Sequence, residues 1–199
     1  MKKLITICTL FALVLINSVP AMAAVTIDFE SLADLETVYD QFIALGADFN
    51  GSGTVLSKST GSLNWTQFPP YSGDKVIYDW PNGTIRVDSV GPTWTMAGGY
   101  VTGDRDVTLT AYASDGSVLG TAHTGGANYV DSGTGLLSNI FLSVSNPVIS
   151  YVMFTDTGST YTVDDFSFEP SSVIPAPGAI LLAGIGAALV GWLRRRRTL

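Results

Sequence analysis

The chain has 199 residues, about the length of one domain, and its 27 charged residues are spread unevenly. Six of the ten Lys and Arg lie near the two ends, whereas all 17 Asp and Glu fall between Asp28 and Glu169. This acidic middle argues against nucleic acid as a partner, because a phosphate backbone needs clustered cations, and it favours divalent cations or neutral ligands. The single cysteine, Cys8, lies in the first apolar segment, so a chain without that segment has neither a disulfide nor a thiolate.

Residues 1–23 are predicted to be a secretory signal peptide. Lys2 and Lys3 precede an almost unbroken apolar run, and Ala21-Met22-Ala23 has the small-x-small pattern that signal peptidase reads. We predict cleavage after Ala23. The alternative is an uncleaved N-terminal anchor, but the run is short for a membrane span and ends at Pro20.

The middle, residues 24–170, is predicted to be one all-β domain, an antiparallel β-sandwich. Short alternating runs are separated by Gly, Asn, Asp and Ser. Residues 106–113 and 117–122 predict a hairpin, and Asp115-Gly116 between them predicts a type I′ turn. Residues 76–80 and 84–88 predict a second hairpin around Pro81-Asn82-Gly83. Further strands are predicted at residues 25–29, 93–101, 139–144, 149–155 and 161–168.

One segment of the middle departs from strand periodicity. In residues 31–45, Leu32, Leu35, Val38 and Phe42 recur at helical spacing after Ser31, which is a suitable N-cap residue. This pattern predicts either one short helix or an ordered loop.

The C-terminal segment, residues 171–199, is predicted to contain a transmembrane helix at about residues 178–193. No charged residue occurs between Gly178 and Leu193, and the stretch is somewhat shorter than the ~20 residues that a bilayer normally needs. Arg194, Arg195, Arg196 and Arg197 follow directly. By the positive-inside rule they place this end in the cytoplasm and leave the middle outside.

The order Pro175-Ala176-Pro177-Gly178, a Gly/Ala/Leu-rich helix and an arginine cluster resembles the PEP-CTERM sorting tail of Gram-negative bacteria. The resemblance implies an inner-membrane-anchored precursor that an exosortase-type membrane protease cuts. It also implies a product at the cell surface or in the extracellular matrix, together with exopolysaccharide or biofilm. The family's central Glu is replaced by Ala176, which leaves two alternatives, a standard exosortase and a variant one. The alternative is a single-span anchor that is never cut.

The middle is similar to jelly-roll domains of the galactose-binding and carbohydrate-binding-module type. The resemblance rests on the segment from Tyr39 to Phe49, the Ala-Tyr-x-x-Asp-Gly hairpin and the closing run from Tyr161 to Phe168. It implies that the first and last strands pair and that a structural calcium ion lies near them. The candidate ligands are Asp28, Glu30, Asp164 and Asp165, because calcium takes oxygen ligands. The alternative is that these are solvated edge acids, which oppose aggregation.

Glycan binding needs exposed aromatic rings that stack on sugars, with polar neighbours that bond the hydroxyl groups. Trp65, Tyr71, Trp80 and Trp94 lie in or beside predicted loops with such neighbours, although each could instead belong to the core. Trp65 and Tyr71 are the strongest candidates, because residues 64–71 form a Pro-rich loop that cannot bury all its rings.

We predict no catalytic residues. No Gly-x-Ser-x-Gly turn accompanies the single histidine, His123, and Asp104-Arg105-Asp106 is typical of a salt-bridged turn. The leading hypothesis is a non-catalytic, exported protein of the surface or matrix that associates with polysaccharide. The alternatives are a surface structural or adhesion protein without glycan affinity, and a glycan-active enzyme.

Overall fold

The computed structural model describes residues 23–80, 83–158 and 160–171. Ala23 is exposed. Ala21, the motif from Pro175 to Gly178, the four arginines and the predicted transmembrane helix lie outside the described residues. Within the three described ranges, no helix is long and apolar enough to cross a membrane.

The described residues form twelve strands and a single 3-10 turn, at Ile43–Leu45. In chain order the strands are β1 Val25–Ile27, β2 Thr37–Val38, β3 Ala47–Asp48, β4 Gly53–Ser57, β5 Lys75–Tyr78, β6 Thr84–Ser89, β7 Trp94–Gly103, β8 Thr108–Tyr112, β9 Val118–His123, β10 Ile140–Ile149, β11 Tyr151–Thr155 and β12 Tyr161–Pro170. The all-β class and the five further strands predicted from the sequence are confirmed. Strands β2, β3 and β4 were not predicted.

Two antiparallel sheets make up the fold. Sheet A has the order β10-β7-β12-β5-β4-β2, and β1 pairs with the C-terminal half of β12. Sheet B has the order β3-β6-β11-β8-β9. β1 pairs with β12 in the register Val25 to Phe168, so the first and last strands pair as the resemblance implies.

One hydrophobic core lies between the two sheets. Alternate side chains of each strand point inward, as Val163 and Ile77 do in sheet A and Val152 and Phe154 do in sheet B. The ring of Phe154 meets that of Phe166 across the sandwich, with 6.4 Å between the ring centroids. The inner faces of both sheets therefore share one core, as a β-sandwich requires.

The hairpin of β8 and β9 is confirmed, but the type I′ turn is wrong. Gly116 has a φ of 83°, whereas Asp115 does not have a positive φ. The N–H of Gly116 donates to the Ala113 carbonyl at 3.0 Å, and the N–H of Ala113 donates to the Ser117 carbonyl at 2.9 Å. This is a three-residue loop in which only the last position needs glycine.

The second predicted hairpin is also wrong. β5 pairs with β4 and β12 in sheet A, whereas β6 pairs with β3 and β11 in sheet B. The chain between the two strands therefore crosses from one sheet to the other. Local sequence cannot distinguish such a crossover from a hairpin, because both need a turn between two strands.

Residues 31–45 form an ordered loop that includes the short strand β2 and the 3-10 turn Ile43–Leu45, and they contain no α-helix. Leu32, Val38 and Phe42 are buried in the core, but Leu35 is 65% exposed and has a φ of 61°. The N–H of Leu35 donates to the Val55 carbonyl at 2.9 Å, which attaches the loop to β4. Backbone pairing with a strand thus replaces the hydrogen bonds of a helix.

Candidate ligand-binding surface

The loop of residues 58–74 lies on the outer face of sheet A. Val163 and Ile77 point into the core, so their neighbours Thr162 and Tyr78 point to the opposite face. Thr162 and Tyr78 line a cavity together with Phe68 and the buried Leu63 of the loop. The loop therefore covers part of the face that would otherwise meet solvent.

Carboxylates fix the C-terminal end of this loop. Glu30 Oε1 accepts from the N–H groups of Asp74 and Lys75 at 2.7 and 2.8 Å. Asp164 Oδ2 accepts from the N–H groups of Tyr71 and Ser72 at 2.7 and 3.0 Å. Burial raises the pKa of Asp164 to about 6, although the bond from the Ser72 backbone acts in the opposite direction.

A second pair of acids fixes the N-terminal end of the loop. Asp34 accepts hydrogen bonds from the hydroxyl groups of Ser62 and Thr60, and these bonds lower its pKa. Asp74 accepts from the hydroxyl groups of Ser57 and Ser59, with the same effect on its pKa. The loop is thus held at both ends by charge-assisted hydrogen bonds, which keep its exposed side chains in defined positions.

Two adjoining cavities, each of about 340 Å³, run under the loop. We call them together the loop groove. The first is lined by Leu56, Ser62, Leu63, Asn64, Phe68, Tyr78, Thr160, Tyr161 and Thr162, and the second by Gln67, Phe68, Asp104, Tyr129 and Thr160. Phe68 borders both, and its ring stacks on that of Tyr129 with 6.0 Å between the centroids. Each volume lies in the range of small-ligand pockets.

An exposed group of aromatic rings lies on the same face of sheet A. Tyr71 stacks on Tyr100 of β7 with 3.4 Å between the centroids and 8° between the planes. Phe141 of β10 meets Tyr100 at 4.9 Å. Tyr71 is 50% exposed and Phe141 is also exposed, so we call these three residues the aromatic platform. Cross-strand pairing places Tyr100 beside both Asp164 and Phe141.

The four predicted ligand-binding aromatics do not form one surface. Tyr71 belongs to the platform, and Trp65 is exposed in the same loop, where the Lys58 ammonium lies 4.8 Å from its ring centroid. Trp80 is 61% exposed beyond the end of β5. In the part of the chain that the structure describes, no ring contact joins Trp65, Tyr71 and Trp80 to one another.

Trp94 is a correction to the sequence analysis. Its side chain is 1% exposed and packs against Phe166 and Phe168, with centroid distances of 5.8 and 4.7 Å. It lies on β7 in the core and cannot offer a ring face to a ligand. Sequence reasoning instead missed Phe68, Tyr78 and Tyr129, whose separate segments meet only in the folded chain.

The four predicted calcium ligands accept hydrogen bonds from groups of the protein itself. Glu30 and Asp164 accept backbone N–H groups, Asp28 Oδ1 accepts from the N–H of Glu30 at 3.2 Å, and Asp165 Oδ1 accepts from the Ser72 hydroxyl at 3.0 Å. In the described ranges, no three His, Cys, Asp or Glu residues are placed to hold a metal ion. The alternative of solvated edge acids is wrong for Asp164, which is buried on a central strand.

The acids with raised pKa values do not suit catalysis. Burial, and then the charge of Asp156, raises the pKa of Asp79 to about 7, but Asp79 is fully buried. Asp164 is buried as well. A general acid must reach the atom that it protonates, and neither carboxyl group reaches solvent. His123 is exposed and pairs with Asp106 at 3.3 Å.

No family model matches the chain, and no curated protein matches it. Among solved structures, it is similar to two variants of CBM29-2, a family 29 carbohydrate-binding module. The first has 11% sequence identity and a TM-score of 0.40, and the match covers 78% of this chain and 97% of that chain. The second has 10% identity and a TM-score of 0.39, over 78% of this chain and 99% of that chain. It is also similar to the CBM22-1 xylan-binding domain from Paenibacillus barcinonensis Xyn10C, with 13% identity and a TM-score of 0.36, over 79% of this chain and 100% of that chain.

Proposed function

We propose that residues 24–170 form a non-catalytic carbohydrate-binding domain that uses the loop groove and the aromatic platform. The observation that carries the proposal is a groove with aromatic walls next to exposed rings on one face of a sheet. The apolar face of a sugar ring packs on such aromatic rings. Asn64, Gln67 and Thr160 line the groove and supply donors and acceptors for sugar hydroxyl groups.

The proposed context is outside the cell. The signal peptide pattern in residues 1–23 supports export, and the tail in residues 171–199 supports an inner-membrane-anchored precursor that an exosortase-type protease sorts to the surface or matrix. Changing Arg194–Arg197 together to Ala is expected to leave the precursor unsorted in the membrane fraction. Immunoblots of membrane and extracellular fractions measure this, and normal processing of the variant would contradict the sorting role.

Affinity electrophoresis tests the binding function. The full chain in a non-ionic detergent is run through gels with and without the host's exopolysaccharide, with calcium in one series and EDTA in the other. We expect the glycan to retard the protein. Phe68→Ala, which removes the ring that borders both cavities, is expected to abolish the retardation.

The matched control is Tyr39→Ala, which removes an exposed aromatic ring outside the groove and the platform. It is expected to migrate as the wild type does. Equal loss in both variants would contradict the assignment to the groove. Unretarded wild-type protein would contradict glycan binding and favour a structural or adhesion role, which self-association assays would then measure.

A further inference from the structure

Asp104 gives the loop groove its charge. It is the one charged side chain among the described residues that line the groove. Its backbone N–H donates to the Thr160 carbonyl at 3.1 Å, which places it on the groove wall. Its Oδ1 is buried, has no hydrogen-bond partner among the described residues and lies 3.8 Å from Arg105 Nε, the long limit of an ion pair. The Asp104 side chain as a whole is 35% exposed, so a ligand in the groove would meet its exposed part.

Further acids lie behind the same wall. Asp79 is fully buried next to Tyr78 in the chain, and neither of its carboxylate oxygens has a hydrogen-bond partner among the described residues. The pKa of Tyr78, which lines the groove, is raised by burial and then by the charges of Asp79, Asp104 and Asp156. Asp104 and Asp156 therefore make the potential negative at this wall, and Asp79, whose pKa is raised to about 7, adds to it when it ionises.

The cations of the described chain do not balance this potential. Lys58 lies over Trp65, and Arg86 pairs with Asp88 at 2.7 Å. The Lys75 ammonium donates to two backbone carbonyls, and Arg105 lies beside Asp104 itself. A uronic-acid polymer would thus bring further negative charge to a wall that already carries it, and a neutral glycan would leave Asp104 with Arg105, at 3.8 Å, as its only nearby counter-charge among the described residues.

An ammonium group on the ligand would satisfy both requirements. It would donate a hydrogen bond to the exposed part of the Asp104 carboxylate and offset the negative potential of the wall. We propose that the loop groove binds a glycan that carries protonated amino groups, a partly N-deacetylated amino-sugar polymer, with Asp104 accepting from the ammonium. This inference rests on the proposed function, because it names the class of glycan that the same groove takes.

The test compares two ligands with the same sugar backbone. Titration calorimetry at pH 6 measures binding of the glucosamine hexamer and of its fully N-acetylated form to the full chain in non-ionic detergent. We expect the cationic hexamer to bind about tenfold or more tightly than the neutral one. Asp104→Asn is expected to remove this preference, and Asp104→Glu is expected to retain it.

The control is Asp115→Asn, which removes an equal charge at the exposed turn between β8 and β9. If it weakens binding as much as Asp104→Asn does, binding follows net charge and the inference is overturned. If the two hexamers bind equally and Asp104→Asn has no effect, the inference fails while the proposed function stands. If neither hexamer nor the host polysaccharide binds, both fail. Urea unfolding midpoints verify that each variant is folded.

Discussion

The ionisation of Asp79 is predicted to destabilise the fold as the pH rises. The pKa of this fully buried carboxyl group is raised from 3.8 to about 7, first by burial and then by the charge of Asp156. Between pH 4 and 7 the folded chain therefore holds a proton that the unfolded chain has lost. The free energy of unfolding falls as the pH rises through this interval, by about 4 kcal/mol over roughly three pH units.

Asp79→Asn tests this reasoning, because the amide has nearly the same shape and never ionises. At pH 4 both side chains are neutral in the folded chain, so the difference in stability there reports mainly the exchange of acid for amide. From pH 4 to pH 8 we expect the variant to gain up to about 4 kcal/mol relative to the wild type. The comparison cancels the contributions of other titrating groups.

Urea unfolding followed by tryptophan fluorescence, at half-unit intervals from pH 4 to 8, measures the two free energies. Asp115→Asn is the control, because hydrogen bonds to Ser117 lower the pKa of Asp115, and its contribution therefore changes only below this range. A difference between Asp79→Asn and the wild type that stays constant from pH 4 to 8 would refute the burial of an ionising carboxyl group at this position.

Three further predictions concern the core, a close strand contact and metal dependence. Trp94→Ala is expected to lower the free energy of unfolding by about 3–5 kcal/mol, because the Trp94 ring lies in the core. Trp80→Ala is expected to change it little, because the Trp80 side chain is exposed. Similar losses in the two variants, measured by urea unfolding, would contradict this placement. Gly98→Ala is expected to lower the free energy of unfolding by about 1–3 kcal/mol, because the added Cβ would collide with the Leu142 carbonyl of the paired strand. Gly53→Ala is the control: its added Cβ would lie 3.5 Å from the Ile77 Cβ, so this variant should unfold near the wild-type midpoint. EDTA is expected to leave the thermal midpoint unchanged, because the four predicted calcium ligands accept hydrogen bonds within the protein. A drop of several degrees that calcium reverses would instead support a calcium site at these residues.

Local pattern was sufficient for nine of the twelve strands and for one hairpin. β8 and β9 alternate regularly and are joined by a short turn that contains Asp115-Gly116, so their pairing depends on residues close in the chain. The same reasoning failed for β5 and β6. Their partners β12 and β11 lie more than 60 residues further on, and only these long-range pairings place the two strands in different sheets.

The candidate site shows the same division. The sequence alone indicated that the loop of residues 64–71 exposes aromatic rings, because its prolines oppose regular packing, and Trp65 and Tyr71 are exposed there. The sequence could not show that Trp94, a tryptophan with polar neighbours like Trp65, is buried, because burial depends on which face of the sandwich a strand position points to.

The groove itself exists only in three dimensions. Phe68, Asp104, Tyr129 and Thr160 come from four separate segments, which meet because β12 lies between β7 and β5 and the loop folds over them. Composition fixed the acidic character of the middle of the chain. Tertiary structure decided that one carboxylate, that of Asp104, lines a groove while another, that of Asp79, is buried behind its wall, because distance and burial are set by the fold and not by order in the chain.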